Sequence, residues 1–369
     1  MEDFETNFLY KHSDCINDPR RHNIRHNLYD ILMITLCAVL GGADSWTMIA
    51  EYGRSKEEWL RSFLELPNGI PSHDTFARLF ASLNPDSFRE FYCRWIEDIA
   101  GGLDGKCVAI DGKALRGSCD KAAEQNPIHM VSAWCSSCNL VLGQVKTKEK
   151  SNEIKAIPEL IRSLSLDGAI VTIDAIGCQK AIAHEIVDAG ADYVLQVKGN
   201  QPQLRDNIAL FLEDSSNGPF DCYETIDGDH GRIETRRYMV CDNIDWLDGH
   251  HQWKGLKTIV MVHREREADG KVSRETSFYI SSLEKNAEQI GRAIRNHWSI
   301  ENGLHWCLDV SFREDESRIR KDHAPENMAI LRHIAIGLIK NEKTTKGSLK
   351  VRRMKAAWDN AYLLKLLFG

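Results

Sequence analysis

The alternation of short apolar runs with amphipathic segments between residues 105 and 213 constrains this fold more than any other feature of the chain. "CVAIDGK" is apolar and ends in a carboxylate, and "HMVSAWCS" and "NLVLGQVKT" follow through short turns. Then "SNEIKAIPELIRSL" has helical spacing, "AIVTIDAIG" reads as a strand, "CQKAIAHEIVDAG" as a helix and "DYVLQVKG" as a strand. Strands joined by tight turns pair antiparallel, whereas strands separated by a helix pair parallel. The expected product is an α/β layer that begins antiparallel and continues parallel.

The flanks differ in texture. Residues 1–103 have helical apolar spacing throughout, and "GIPSHDTFARLF" reads as a turn, a cap at Ser72 or Asp74 and a short helix. That pattern is a helix–turn–helix candidate, equally at home in a helical bundle. After residue 214 the alternation becomes β-rich to about residue 285, which reads as a β insertion. The expected division is a helical N-terminal domain (1–103), an α/β domain (104–340) carrying the insertion at about 215–285, and a basic C-terminal tail (341–369).

Composition narrows the class. A net charge of −7 over 369 residues argues against a protein that coats nucleic acid indiscriminately. Basic residues gather locally, however: Arg20, Arg21 and Arg25 near the start, and Lys340, Lys343, Lys346, Lys350, Arg352, Arg353 and Lys355 near the end. The longest apolar run, from Ile31, is too short to span a bilayer, and no leader precedes it, so a cytoplasmic protein without a membrane partner is expected. Eleven scattered cysteines fit reduced thiols, with Cys135 and Cys138 read as flanking a hairpin turn.

Three carboxylates carry the chemistry. On period-two counting Cys107, Ala109 and Asp111 share one strand face, as do Ile170, Thr172 and Asp174. If the two strands are neighbours, both carboxylates stand together, where they repel unless a cation lies between them. Glu301 shares a helical stripe with Ile290, Ile294, His297, Leu304 and Leu308, so it is expected to point inward and complete the set. Hard oxygen ligands suit Mg²⁺ or Mn²⁺ rather than zinc, and two such ions can clamp both oxygens of a displacement at phosphorus.

"VAIDGKALRGS", "SNEIKAIPEL", "TIDAIGCQ", "VKGNQ", "DGDHGRIETR" and "HWSIENGLHWCLDVSFREDESRIR", in that order, resemble the DDE-type insertion-sequence transposases of the H-repeat-associated family. "DPRRHNIRHNLYDIL" and "GIPSHDTFARLF" resemble the N-terminal domain associated with that family. The resemblance implies a ribonuclease-H-like catalytic domain with a β-rich insertion. It also implies a catalytic and metal-binding triad at Asp111, Asp174 and Glu301, two Mg²⁺ ions with Mn²⁺ as substitute, and cleavage and strand transfer of DNA. The implied partners are double-stranded DNA, as terminal inverted repeats and target, and further copies of the chain in a dimer or larger synaptic complex. Many related transposases place Tyr, Arg and Lys at fixed spacing around the last carboxylate; here Ile294, His297 and Leu308 stand there instead. Lys113, Arg116, Lys198, His297 and Arg313 are candidate DNA contacts, as are His230, Arg232, Arg236 and Arg237 in a hairpin. Trp298 is a candidate for base stacking, with core packing the favoured alternative. A transposase-derived DNA-binding protein without cleavage and a ribonuclease-H-like nuclease are the competing functions.

Overall fold

The computed structural model describes residues 8–22, 24–119, 126–147, 152–229 and 231–369. Six helices open the chain: α1 (Phe8–Lys11), α2 (Leu28–Leu40), α3 (Trp46–Ser55), α4 (Glu57–Leu60), α5 (His73–Ser82) and α6 (Pro85–Ala100). Side-chain caps start three of them. Ser45 accepts from the Met48 amide, Ser72 from Thr75, and Asn84 from Asp86, with Pro85 at the first turn where its missing N–H costs nothing. Helix α2 is buried from Asp30 to Leu40, which follows from its nearly uninterrupted apolar sequence and makes it the centre of the helical region.

A nine-stranded sheet forms the other half. Its strands are β1 (Cys107–Leu115), β2 (Ile128–Cys135), β3 (Leu140–Thr147), β4 (Ile170–Ile173), β5 (Asp192–Val197), β6 (Asp221–Asp229), β7 (Arg232–Cys241), β8 (Thr258–Ala268) and β9 (Lys271–Ser281). They lie in the order β3-β2-β1-β4-β5-β9-β8-β7-β6. β1, β2 and β3 pair antiparallel through tight turns, and β4 and β5 join parallel to β1 after the crossover helices α7 (Glu153–Arg162) and α8 (Lys180–Asp188). This is the mixed sheet expected from the alternation. The turn from Cys135 to Cys138 is the hairpin between β2 and β3, completed by Asn139 at φ 54°.

After α9 (Pro202–Glu213), the antiparallel strands β6–β9 extend the same sheet beyond β5. The chain then returns through α10 (Ala287–His297), which lies across β1, β4 and β7. Beyond it two wide, π-helical turns run over Glu301–His305 and Cys307–Ser311. Helix α11 (Ala324–Asn341) then passes between α2, α5, α6 and β3, so one apolar core joins the helical region to the sheet.

The last thirty residues are not a solvated basic tail. They form α12 (Leu349–Trp358) and α13 (Asn360–Phe368), and Arg352 and Arg353 are buried. Arg353 donates to the carbonyls of Val39 (2.6 Å) and Ser311, and its guanidinium lies 3.8 Å from the Phe312 ring centroid. Lys340 likewise donates to the Gly303 carbonyl at 2.6 Å. Part of the C-terminal charge thus satisfies backbone carbonyls at the C-terminal end of α2 and in the wide turns, groups that are costly to bury unpaired.

Candidate active site

The β1–β4 register brings the first two carboxylates side by side. Ala109 pairs with Thr172 and Ile110 with Ile173, so Asp111 and Asp174 follow as the next residues of neighbouring parallel strands. Both are also tied by the backbone: Asp111 Oδ1 accepts from Gly112 N–H at 2.8 Å, and Asp174 Oδ1 caps the following turn through Ile176 N–H at 3.0 Å. The capping role common to strand-end aspartates is therefore present at Asp174 beside any other role. Burial, then the charges of Asp174, Glu301 and Glu153, push the Asp111 carboxyl up to about 7 against the opposing Gly112 hydrogen bond.

Helix α10 closes the same face. Cys107 and Ile170 pack with Ile290, Ala293 and Ile294, and the Thr172 hydroxyl lies 3.1 Å from His297 Nδ1. Burial pushes the His297 imidazole down toward neutrality, with Asp174 opposing. His297 is therefore a hydrogen-bonding group of the inner wall rather than an exposed cation.

Glu301 departs from the expected stripe. Leu304 and Leu308 are buried as expected, but the neighbouring core position is filled by Ile300, fully buried, while Glu301 is exposed. The cause is local: the α-helix ends at His297, and the next turns are wide, as the Phe312 N–H to Cys307 carbonyl bond of 3.3 Å shows. A count at 3.6 residues per turn does not carry through such turns. Glu301 still faces Asp111 closely enough for its charge to act there.

The other candidates separate. Lys113, expected at phosphate, is instead held by carboxylates, with its ammonium 2.8 Å from Asp309, 3.2 Å from Glu314 and 3.4 Å from Asp315. Burial lowers its pKa and these carboxylates outweigh the burial, so it stays charged. Arg236 is likewise consumed, 2.6 Å from both Asp227 and Glu234, because β7 turns it toward a buried face. Arg116, Lys198, Arg232 and Arg237 are exposed, as is Arg313, which pairs with Glu316 and lies 3.6 Å from Asp44. Trp298 is 49% exposed rather than packed in the core. It borders a cleft of about 550 Å³ with Tyr223, Tyr238, Arg292 and Arg295. His230 lies outside the described residues.

Two site residues escaped the sequence reading. His305 places Nδ1 3.7 Å from Asp111 Oδ2, and burial pushes its imidazole down to about 4. Its spacing of four from Glu301 was the available signal. Glu153, at the first turn of α7, is buried on the other side of β1; a β-carbon at Gly112 would stand 2.3 Å from its Oε1.

Among the described residues, no Lys or Arg pairs with Asp111, Asp174 or Glu301, and no three His, Cys, Asp or Glu side chains stand close enough to hold a metal ion. The donor set fits a hard divalent cation in type and in its uncompensated negative charge. The side chains would have to turn toward one another to bind it.

The ribonuclease-H-like mixed sheet defines the class, and sequence comparison agrees with that fold. The family described as "Transposase DDE domain" matches residues 102–338, and "DDE_Tnp_1-associated" matches residues 10–96. "H repeat-associated putative transposase YhhI" of Escherichia coli (strain K12) is 41% identical over 369 residues, covering 98% of each chain. "Uncharacterized protein in dhlA 3'region" of Xanthobacter autotrophicus is 47% identical over 273 residues, covering 73% of this chain and 92% of that one. The chain belongs to the H-repeat-associated family of DDE transposases. A solved piggyBac transposase synaptic complex with hairpin DNA aligns with all of this chain and 79% of its own, at 12% identity and a TM-score of 0.44.

Proposed function

We propose that this protein catalyses metal-dependent cleavage and strand transfer at the ends of an insertion sequence. The observation that carries this reading is the parallel register that sets Asp111 beside Asp174, with the Glu301 charge acting on the same carboxyl. Asp111, Asp174 and Glu301 would hold Mg²⁺, or Mn²⁺ in its place. When bound, such ions supply Lewis-acid polarisation of a phosphodiester and a lowered pKa for water. The protein's own contribution is placement. The strands fix two carboxylates, the Gly112 amide orients one of them, and Glu301 on the exposed side of the wide turn leaves room for a DNA strand to approach.

Exposed Arg116, Lys198, Arg232, Arg237 and Arg313 would meet phosphates of the element end and target, positioning the duplex without reading its sequence. Trp298, at the rim of its cleft, would stack on an unpaired base, worth roughly 1–3 kcal/mol. The helical region 1–103 would bind the terminal repeats or mediate assembly of a dimer or larger synaptic complex.

The test is a cleavage and strand-transfer assay on a labelled duplex carrying the flanking element end, with Mg²⁺ or Mn²⁺, comparing wild type with Glu301→Gln. The expected result is metal-dependent nicking at the end that Glu301→Gln abolishes while end binding survives. End binding without cleavage by either protein would favour a DNA-binding protein that has lost cutting. Cleavage that never proceeds to strand transfer would favour a nuclease.

A further inference from the structure

We propose that Lys113 is a positioning residue of the carboxylate site, clamping the end of β1 to the segment that follows Glu301, and that it does not bind DNA. This rests on the transposase reading above. Asp111 and Lys113 lie two apart on β1 and so project from one face. Opposite them run the wide turns, where His305 lies 3.7 Å from Asp111 and Asp309 lies 2.8 Å from Lys113. The two contacts are successive rungs, and Glu301 sits one step before them on the same segment.

Everything around Lys113 is committed to that junction. An ammonium has three N–H donors, and three carboxylates, Asp309, Glu314 and Asp315, stand within 3.4 Å of this one. Of these contacts the one to Asp315 is a hydrogen bond, but all three carboxylates crowd the ammonium and its side chain is only 11% exposed, which leaves little access for a phosphate. Glu314 is itself buried and reaches back to Arg332 of α11 at 3.2 Å. Two further links seal the junction: the Arg116 amide donates to Asp315 at 3.3 Å, and Arg320 Nε to the Gly117 carbonyl at 3.0 Å. The segments approach so closely at Gly117 that a β-carbon there would stand 2.0 Å from the Ser317 carbonyl oxygen.

Without the Lys113 charge, three carboxylates would face one another across a largely buried junction, balanced by Arg332 at Glu314 and by the exposed Arg116 side chain, 3.4 Å from Asp315. Their repulsion would push the wide turns off β1 and draw Glu301 away from Asp111. The effect on metal binding would resemble loss of a residue that orients a ligand, about 10–100-fold.

The experiment compares full-length wild type, Lys113→Met and Lys113→Arg for three quantities. These are the rise in melting temperature on adding Mn²⁺, the Mn²⁺ concentration for half-maximal end cleavage, and end affinity as a function of salt. The expected result for Lys113→Met is a weakened Mn²⁺ response and a half-maximal concentration raised at least about tenfold, with end affinity and its salt slope unchanged. Lys113→Arg should recover part of the response. If Lys113→Met does not fold, Asp309→Asn, which removes one acceptor, should show the same shift in smaller degree. An unchanged Mn²⁺ response in the folded variants overturns the inference, as does a salt slope reduced by about one, the mark of a lost phosphate contact. Wild type that neither responds to Mn²⁺ nor cleaves overturns the transposase reading itself, and this inference with it.

Discussion

The Thr172 hydroxyl lies 3.1 Å from His297 Nδ1, tying the strand that leads into Asp174 to the last turn of the helix that precedes Glu301. Thr172 is 2% exposed, so the bond is made away from competing water. Thr172→Val keeps the shape and leaves the imidazole nitrogen unpaired. Urea unfolding should show a loss of about 1–3 kcal/mol, and end cleavage should fall with it because Glu301 loses its anchor. Wild-type stability in the variant would remove this bond from the account.

Asp174 serves as a turn cap and, in the proposed mechanism, as a ligand, and two substitutions separate these roles. Asparagine retains an oxygen for the Ile176 amide. Asp174→Asn should therefore unfold like wild type, whereas Asp174→Ala should lose about 1 kcal/mol. Both should lose cleavage. Retained cleavage in Asp174→Asn would leave Asp174 as a cap alone.

Arg236 and Arg237 are adjacent in β7 and should behave oppositely. Arg236 is 2.6 Å from Asp227 and from the buried Glu234, which keeps Arg264 at 3.1 Å as its other cation. Arg236→Met should destabilise the fold by about 1–3 kcal/mol, part of the penalty for breaking a buried pair. The Arg237 side chain is 72% exposed and, among the described residues, pairs with the exposed Glu224 alone. Arg237→Ala should leave stability within about 0.5 kcal/mol while reducing the salt slope of end binding by about one. Thermal melts and a salt titration of end affinity check the pair.

His333 of α11 should make stability depend on pH. Burial pushes its imidazole from 6.5 down to about 4, with Glu314 opposing. At pH above 6.5 neither folded nor unfolded chain protonates it. As pH falls from 6.5 toward 4 the unfolded chain takes up a proton that the folded chain refuses, so stability is lost across that window, on the order of 3 kcal/mol in total. Burial also raises the Glu326 carboxyl, so other groups contribute to the acid loss and the check is the difference between wild type and His333→Met. The variant should show a shallower decline between pH 6.5 and 4; parallel curves would exclude His333 as the source.

The sequence by itself determined the order of strands and helices, the antiparallel start and parallel continuation of the sheet, and the placing of Asp174 just after a strand. These follow from periodicity and turn chemistry, properties of neighbouring residues that survive without knowledge of the rest of the chain. Asp111 is expected near the end of its strand, but β1 runs on past it to Leu115. The tertiary structure alone decided which charges are free. Lys113 meets Asp315 across 202 residues, and Arg353 meets Val39 across 314. No local pattern records such approaches, because an ion pair depends on where two distant elements come to rest. Glu301 lies between the two cases. Its stripe was legible up to His297, but the wide turns beyond it, held in part by Lys340 and Arg353 from later helices, gave the core position to Ile300 and left the carboxylate facing solvent and Asp111.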